Sequence, residues 1–413
     1  MHTNNFGPLS YGQIDQWRDV EKHPREQWHE ANVWSRWSLP ADVETERVRR
    51  ALRALAVRCP GLRTTYDLSD PAEPRQRITT DGATSDDLEI IAADCGSDDE
   101  ALTVTGEVIN RPFDLRERPA WRALILNRRG ATELFLARHH MVTDGMANSV
   151  LEHEFRTLLN EPGDLDSVTA AAGPLDLALW QLAPEQEPVR AAAIEHWERI
   201  FASAAGCGFP GTDPAGTRKL QYGLRSSAVL GRARDLADRT RTSVPSVVLA
   251  AYTLAVARVT GVERLVVESE SSNRFNPRWR NVVAPMSQLV PILVTTTDDL
   301  AGHATRVHRA AMAAYRRGMY DVDTVLAMRS AAGYAPTCRY NFFSWQEIAT
   351  RPVDSPEPVW EEPSSWVRVG CALYAGEMDG TLRFLLRARG VEQDRVAAVM
   401  KHTLALLNES TAL

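Results

Sequence analysis

A short apolar run, Glu133-Leu134-Phe135-Leu136-Ala137-Arg138, stops at two histidines, and beyond them apolar residues recur at three- and four-residue steps: Met146, Val150, Leu151, Phe155, Leu158 and Leu159. The first pattern is that of a largely buried strand and the second that of an amphipathic helix. The connection Arg138-His139-His140-Met141-Val142-Thr143-Asp144-Gly145 therefore lies where a strand hands over to a helix. Side chains there are held by rigid elements on both sides and can still face a cavity. Gly145 is expected to take the backbone angles of a tight turn and to let a substrate approach the main chain.

Two adjacent histidines could be coincidence or the start of a metal site. A metal site needs further ligands at defined spacing, and no second cluster of His, Cys or carboxylate follows. The five cysteines, Cys59, Cys95, Cys207, Cys338 and Cys371, are scattered without a C-x-x-C pair and read as buried or free thiols of a reducing cytoplasm. There is no Gly-x-Ser-x-Gly elbow and no evident activated thiol.

The chain has 413 residues, 44% of them hydrophobic, and a formal net charge of -7. That is enough for two domains. The acidic balance and dispersed arginines argue against nucleic acid as a partner. No run approaches the roughly 18 apolar residues of a membrane span, and the N-terminus shows no secretory signal; a cytoplasmic, monomeric protein is the expectation. Residues 160–174, rich in Gly, Pro, Asp, Ser and Ala, read as an inter-domain connection. The division expected is 1–167 and 168–413.

Further signals agree with the opening one. Ser10 can cap a helix, and the helix through Val48, Leu52, Leu55 and Cys59 should stop at Pro60-Gly61. Ser97 with Glu100 is a capping-box pattern. Strands around 122–126 and 133–138 should form a hairpin about Arg129-Gly130. In the second half, Ser243 and Pro245 open an apolar helix that ends at Gly261, and 264–270 is a strand followed by Asn273-Arg274. Residues 344–366, with Trp345, Trp360 and Trp366, read as a long irregular loop. Strands at 366–375 and 381–388 and a helix through Val396 and Leu407 close the chain.

His-His-x-x-x-Asp-Gly at 139–145 resembles the signature of the condensation domains of nonribosomal peptide synthetases, members of the chloramphenicol-acetyltransferase-like acyltransferases. Other stretches resemble that family in order: Leu9-Ser10 with Gln13; Arg58 to Tyr66, where Cys59-Pro60 stands for the usual His-Glu; Pro112-Phe113-Asp114-Leu115; Asp176 to Trp180; and Asn273-Arg274 after a strand. Residues 283–291 depart from the family's pattern: Ala284 replaces Gly, Gln288 replaces Asn, and the arginine after Pro291 is absent. The resemblance implies an α/β (α+β two-layer) fold of two chloramphenicol-acetyltransferase-like subdomains in a V-shaped pseudo-dimer. It also implies a floor loop at about 274–291 and a latch at about 344–366.

By the same resemblance His140 is the catalytic histidine, with Gly145 and Asn341 as polar partners of the tetrahedral intermediate. His139, Asp144 and Arg274 would be structural at the site, the last two as a buried ion pair between the halves. Met141, Met286, Gln288 and Trp345 are candidates to line a substrate tunnel. The implied function is that of a free-standing condensation enzyme making an amide from a carrier-bound thioester and an amine. It would need no cofactor or metal of its own, the acyl group arriving on the phosphopantetheine arm of a carrier protein in trans, or on CoA. Two alternatives stay open: an acyltransferase making an ester or amide on a small soluble acceptor, and a catalytically silent recruitment domain.

Overall fold

The computed structural model describes residues 5–79, 88–161, 163–213, 215–343, 355–361 and 370–409. The chain packs as two compact units, Met1–Glu187 with Ser272–Ser287, and Pro188–Ser271 with Gln288–Leu413.

The first unit is built on a four-stranded sheet in the order Asn32–Leu39, Ala131–His139, Trp121–Arg128, Ile90–Asp94. Its pairs are antiparallel except the last, which is parallel. The expected hairpin is present: Arg128 pairs with Ala131, and Gly130 takes φ 77° in the turn. Apolar residues fill both faces of the sheet, which is why 133–138 reads as a continuous run rather than an alternation. On one face Leu124, Leu126 and Phe135 pack with Ala101 and Val108 of the helix Asp98–Asn110. On the other, Trp37 stacks on Phe155 of the helix Gly145–Asn160, ring centres 5.2 Å apart. A small antiparallel sheet, Phe6–Pro8, Arg75–Ile78 and Thr64–Asp67, completes the unit.

The expected division at residue 167 falls short of the observed one. The helix Pro174–Leu182 stays with the first unit, where Gln181 Oε1 accepts the Tyr11 N–H at 3.0 Å and the Leu175 side chain lies over Gly7. Residues 272–287, flanked on both sides by the second unit, also pack in the first.

The second unit is a seven-stranded mixed sheet: Gln288–Thr295, Arg264–Ser271, Cys338–Phe342, Gly370–Met378, Thr381–Arg389, Lys219–Ser226, Ser355–Glu361. Cys338–Phe342 runs parallel to both neighbours. The helix Val244–Thr260 is the apolar one expected, closed by Gly261 at φ 74°. Its Val247, Val248, Ala250 and Ala251 are fully buried. Its apolarity is therefore that of a core helix, and no single helix among the described residues is long and apolar enough to cross a membrane.

The latch region differs from expectation where it is described. Ser355–Glu361 is not irregular but an edge strand, antiparallel to Lys219–Ser226, with Trp360 stacked on Tyr222 at 4.4 Å. The remainder of 344–366, including Trp345 and Trp366, lies outside the described residues.

Candidate active site

The strand Ala131–His139 ends on hydrogen bonds from two sides. The His139 N–H donates to Ala120 O and the His140 N–H to Ala31 O, each at 2.9 Å. Val142 N–H then donates to His139 O at 2.9 Å and closes the turn. Asp144, extended at φ -117°, caps the helix Gly145–Asn160 by accepting the Ala147 N–H on Oδ1 at 2.8 Å. A capping aspartate also suits the positive end of the helix dipole.

Asp144 does more than cap. Oδ1 also receives Arg274 Nη2 at 2.9 Å; Oδ2 receives the N–H groups of Met286 at 2.8 Å and Ser287 at 3.2 Å, with Ser287 Oγ at 3.3 Å. Arg274 in turn donates to the carbonyls of Trp279, Arg280, Val282 and Ala284 at 2.9–3.4 Å. Both side chains are at most 3% exposed. One ion pair thus winds the segment 274–287 around a guanidinium and fastens it to the histidine turn. The expectation of a pair between the halves needs correction: both residues belong to the first unit, because 272–287 packs there.

The seat of that segment is made by glycine. A Cβ on Gly12 would lie 2.2 Å from Pro285 O, and one on Gly61 2.3 Å from Val283 O. Asn273 enters the segment at φ 54° and donates to Met286 O at 2.8 Å, a left-handed conformation that asparagine tolerates better than most residues.

The two histidines have different surroundings. His139 is 1% exposed, and its Nδ1 accepts the Met141 N–H at 3.2 Å, which places its proton on Nε2. Burial, with His140 beside it as a lesser cause, pushes this imidazole down to about 3, so it is neutral at physiological pH. His140 is half-buried, the first residue beyond the strand, and its Nδ1 has no hydrogen-bond partner among the described residues.

Gly145 differs from expectation in its backbone. It is the first helical residue, without positive φ, so no glycine-only conformation is needed. It is exposed, and a Cβ there would meet nothing within 4 Å. The open approach to the main chain is thus present although the special angles are not.

His139, His140, Met141, Asp144, Gly145, Arg274 and Met286 are all in the first unit. Met141 is fully buried, its carbonyl accepting Tyr66 OH at 2.8 Å. Met286 packs with Leu177, Trp279, Val282 and Ala284. Asn341 and Gln288 belong to the second unit. Asn341 pairs with Tyr374 in the sheet, and Gln288 Nε2 donates to Tyr320 O at 3.0 Å. Among the described residues no three His, Cys, Asp or Glu come together as a metal would require.

Sequence reasoning read Gly61 only as part of a helix stop and gave Gly12, Tyr66 and Arg138 no role at the site. For Gly12 and Tyr66 no local signal for such a role exists. Arg138 had one, a charged residue closing an otherwise apolar strand.

Comparison with known proteins gives a consistent result. The family described as Condensation domain matches residues 25–330. The chain is 30% identical over 293 residues to the phosphinothricin tripeptide synthetase PhsC of Streptomyces viridochromogenes, covering 67% of this chain and 26% of that protein. It is 26% identical over 289 residues to a beauvericin nonribosomal cyclodepsipeptide synthetase of Gibberella fujikuroi, covering 66% of this chain and 9% of that one. The chain thus spans about a quarter or less of these relatives' length. Among solved structures, the condensation domain from the monacolin K polyketide synthase MokA superposes with TM-score 0.78 at 15% identity, covering 98% of both chains. The epimerization domain from the third module of tyrocidine synthetase B gives 0.72 at 16%, covering 99% of both. These structural likenesses show the mixed α/β fold.

Proposed function

Because the chain belongs to the condensation domain family, we propose that it is a condensation enzyme that joins a carrier-bound acyl thioester to an amine. The observation that carries this reading is the fixation of the turn 139–145 by Asp144, whose carboxylate receives the N–H groups of Ala147, Met286 and Ser287 and the Arg274 guanidinium. With both its oxygens engaged, Asp144 is not the base. That leaves His140, half-buried and next to the end of the strand Ala131–His139.

In this reaction the amine nitrogen attacks the thioester carbonyl carbon, the carbonyl oxygen becomes an oxyanion, and collapse breaks the C–S bond. His140 takes the proton that the amine sheds and passes it to the departing thiolate, which leaves as the thiol of the phosphopantetheine arm, or of CoA. The first-turn amide at Gly145 is the proposed partner of the oxyanion. Base help of this kind is worth roughly 10²–10⁴-fold, and holding the reactants in register can contribute more. A covalent acyl-enzyme is disfavoured, since all five cysteines are buried and burial pushes Cys59 and Cys338 up to about 12.

The test is intact-mass analysis of an acyl-loaded carrier protein incubated with this protein and an amine. The expected result is an amide product together with a carrier returned to its free-thiol mass. Transfer from CoA to a soluble alcohol or amine, and none from the carrier, would favour the small-acceptor acyltransferase instead. No transfer from either thioester would overturn the enzymatic reading.

A further inference from the structure

Arg138 immediately precedes the two histidines and is 1% exposed. Its hydrogen-bond partners are all neutral. Nη1 donates to Leu136 O at 3.0 Å, and Nη2 to Ser35 Oγ at 2.9 Å and to Asn148 Oδ1. Ser35 Oγ itself donates to Asn148 Oδ1 at 2.6 Å. No carboxylate faces the guanidinium among the described residues, and burial alone pulls it down to about 9, so at neutral pH it remains a cation.

A buried cation without a counter-charge is a costly arrangement, and replacing buried ionic groups by apolar ones of similar volume is often neutral or stabilising. Stability alone would favour Met or Leu at this position. Where a sequence breaks such a rule, the site concerned is often functional. The geometry says what Arg138 does there. Ser35 lies on the strand Asn32–Leu39, Arg138 near the end of Ala131–His139, and Asn148 in the helix Gly145–Asn160, one turn beyond its cap Asp144. One planar fork therefore ties three elements together, which a lysine or a two-donor amide does less completely.

We propose that Arg138 is a positioning residue for the condensation reaction: its guanidinium holds the strand end that carries His140 in fixed register with the first turn of the helix that starts at Gly145. This rests on the function proposed above, with His140 as the proton acceptor. The role is geometric, so a neutralising partner that preserves the fork is tolerated, whereas loss of the fork is not.

The experiment compares Arg138→Met, Arg138→Gln and Asn148→Asp in histidine-labelled protein, with the His140 ring resonance assigned by its loss in His140→Ala. Circular dichroism and thermal melts check folding. The expected result is that Arg138→Met stays folded, its His140 resonance shifts or broadens, and kcat falls about 10- to 100-fold with KM within about twofold. Asn148→Asp, which keeps an acceptor oxygen in place, should leave the resonance and kcat within about threefold of wild type. Should Arg138→Met not fold, Arg138→Gln, which keeps two donors, is read by the same criteria. An unmoved His140 resonance in the folded arginine variant, or turnover within about twofold of wild type, overturns the proposal. So does a folded Asn148→Asp with turnover as low as Arg138→Met, because charge rather than geometry would then be at work. A wild-type protein without condensing activity whose His140 resonance still moves in Arg138→Met would remove the proposed reaction and leave the positioning intact.

Discussion

The Asp144 carboxylate meets the Arg274 guanidinium at 2.9 Å, and apart from the Ala147 N–H that Asp144 caps, the further bonds of the two side chains gather the segment 279–287 at that cap. Removing one partner of a buried pair leaves the other charge uncompensated and costs about 3–5 kcal/mol. Asp144→Ala is therefore expected to lower unfolding stability by that amount, measured by urea denaturation. An unchanged midpoint with an unchanged slope would contradict the assignment.

The glycines at 12 and 145 should respond in opposite ways to the same substitution. At Gly12 a Cβ would lie 2.2 Å from Pro285 O, an atom of the backbone that cannot rotate aside. Gly12→Ala should destabilise by about 1–3 kcal/mol, the usual range for overpacking. At Gly145 a Cβ meets nothing within 4 Å, and alanine is the better helix former by about 1 kcal/mol. Gly145→Ala should be at least as stable as wild type, and any fall in its turnover would report a substrate in the space above residue 145. Equal losses of stability in the two variants would show that the open approach at Gly145 is absent.

The parts of this site that were legible in the sequence are those fixed by neighbours along the chain. The apolar run before His139, the helical spacing after Gly145 and the cap at Ser10 are local patterns, and each element formed as expected. The seat of residues 283–287 on Gly12 and Gly61 was not legible, since a glycine that admits a distant carbonyl looks like any other glycine. The return of 272–287 to the first unit is likewise decided by tertiary bonds of Asp144. The strand Ser355–Glu361 was missed for a different reason. Prolines at 356 and 358 cannot donate to a ladder and point to loop, but at the edge of a sheet a strand can tolerate them.

His139 makes a pH-dependent contribution to stability. Its imidazole is held down to about 3 in the folded protein and titrates near 6.5 when unfolded. The unfolded chain therefore binds a proton that the folded one refuses between those two values, and stability falls as pH is lowered from about 6.5 towards 3. At pH 5 the loss is about 2 kcal/mol relative to pH 8. His139→Gln should flatten that part of the profile in urea unfolding at the two pH values. An unaltered difference between pH 8 and pH 5 would show that His139 is not the group responsible.

The central claim is that His140 accepts the proton of the attacking amine, and the most direct measurement is the single-turnover rate of His140→Ala alongside its melting temperature. His140 is half-buried and Nδ1 has no partner among the described residues, so the variant should melt near the wild-type temperature. Amide formation from the carrier-bound thioester should slow by at least about 10²-fold, the lower end of what a positioned base supplies. A folded His140→Ala that condenses at close to the wild-type rate would contradict the account.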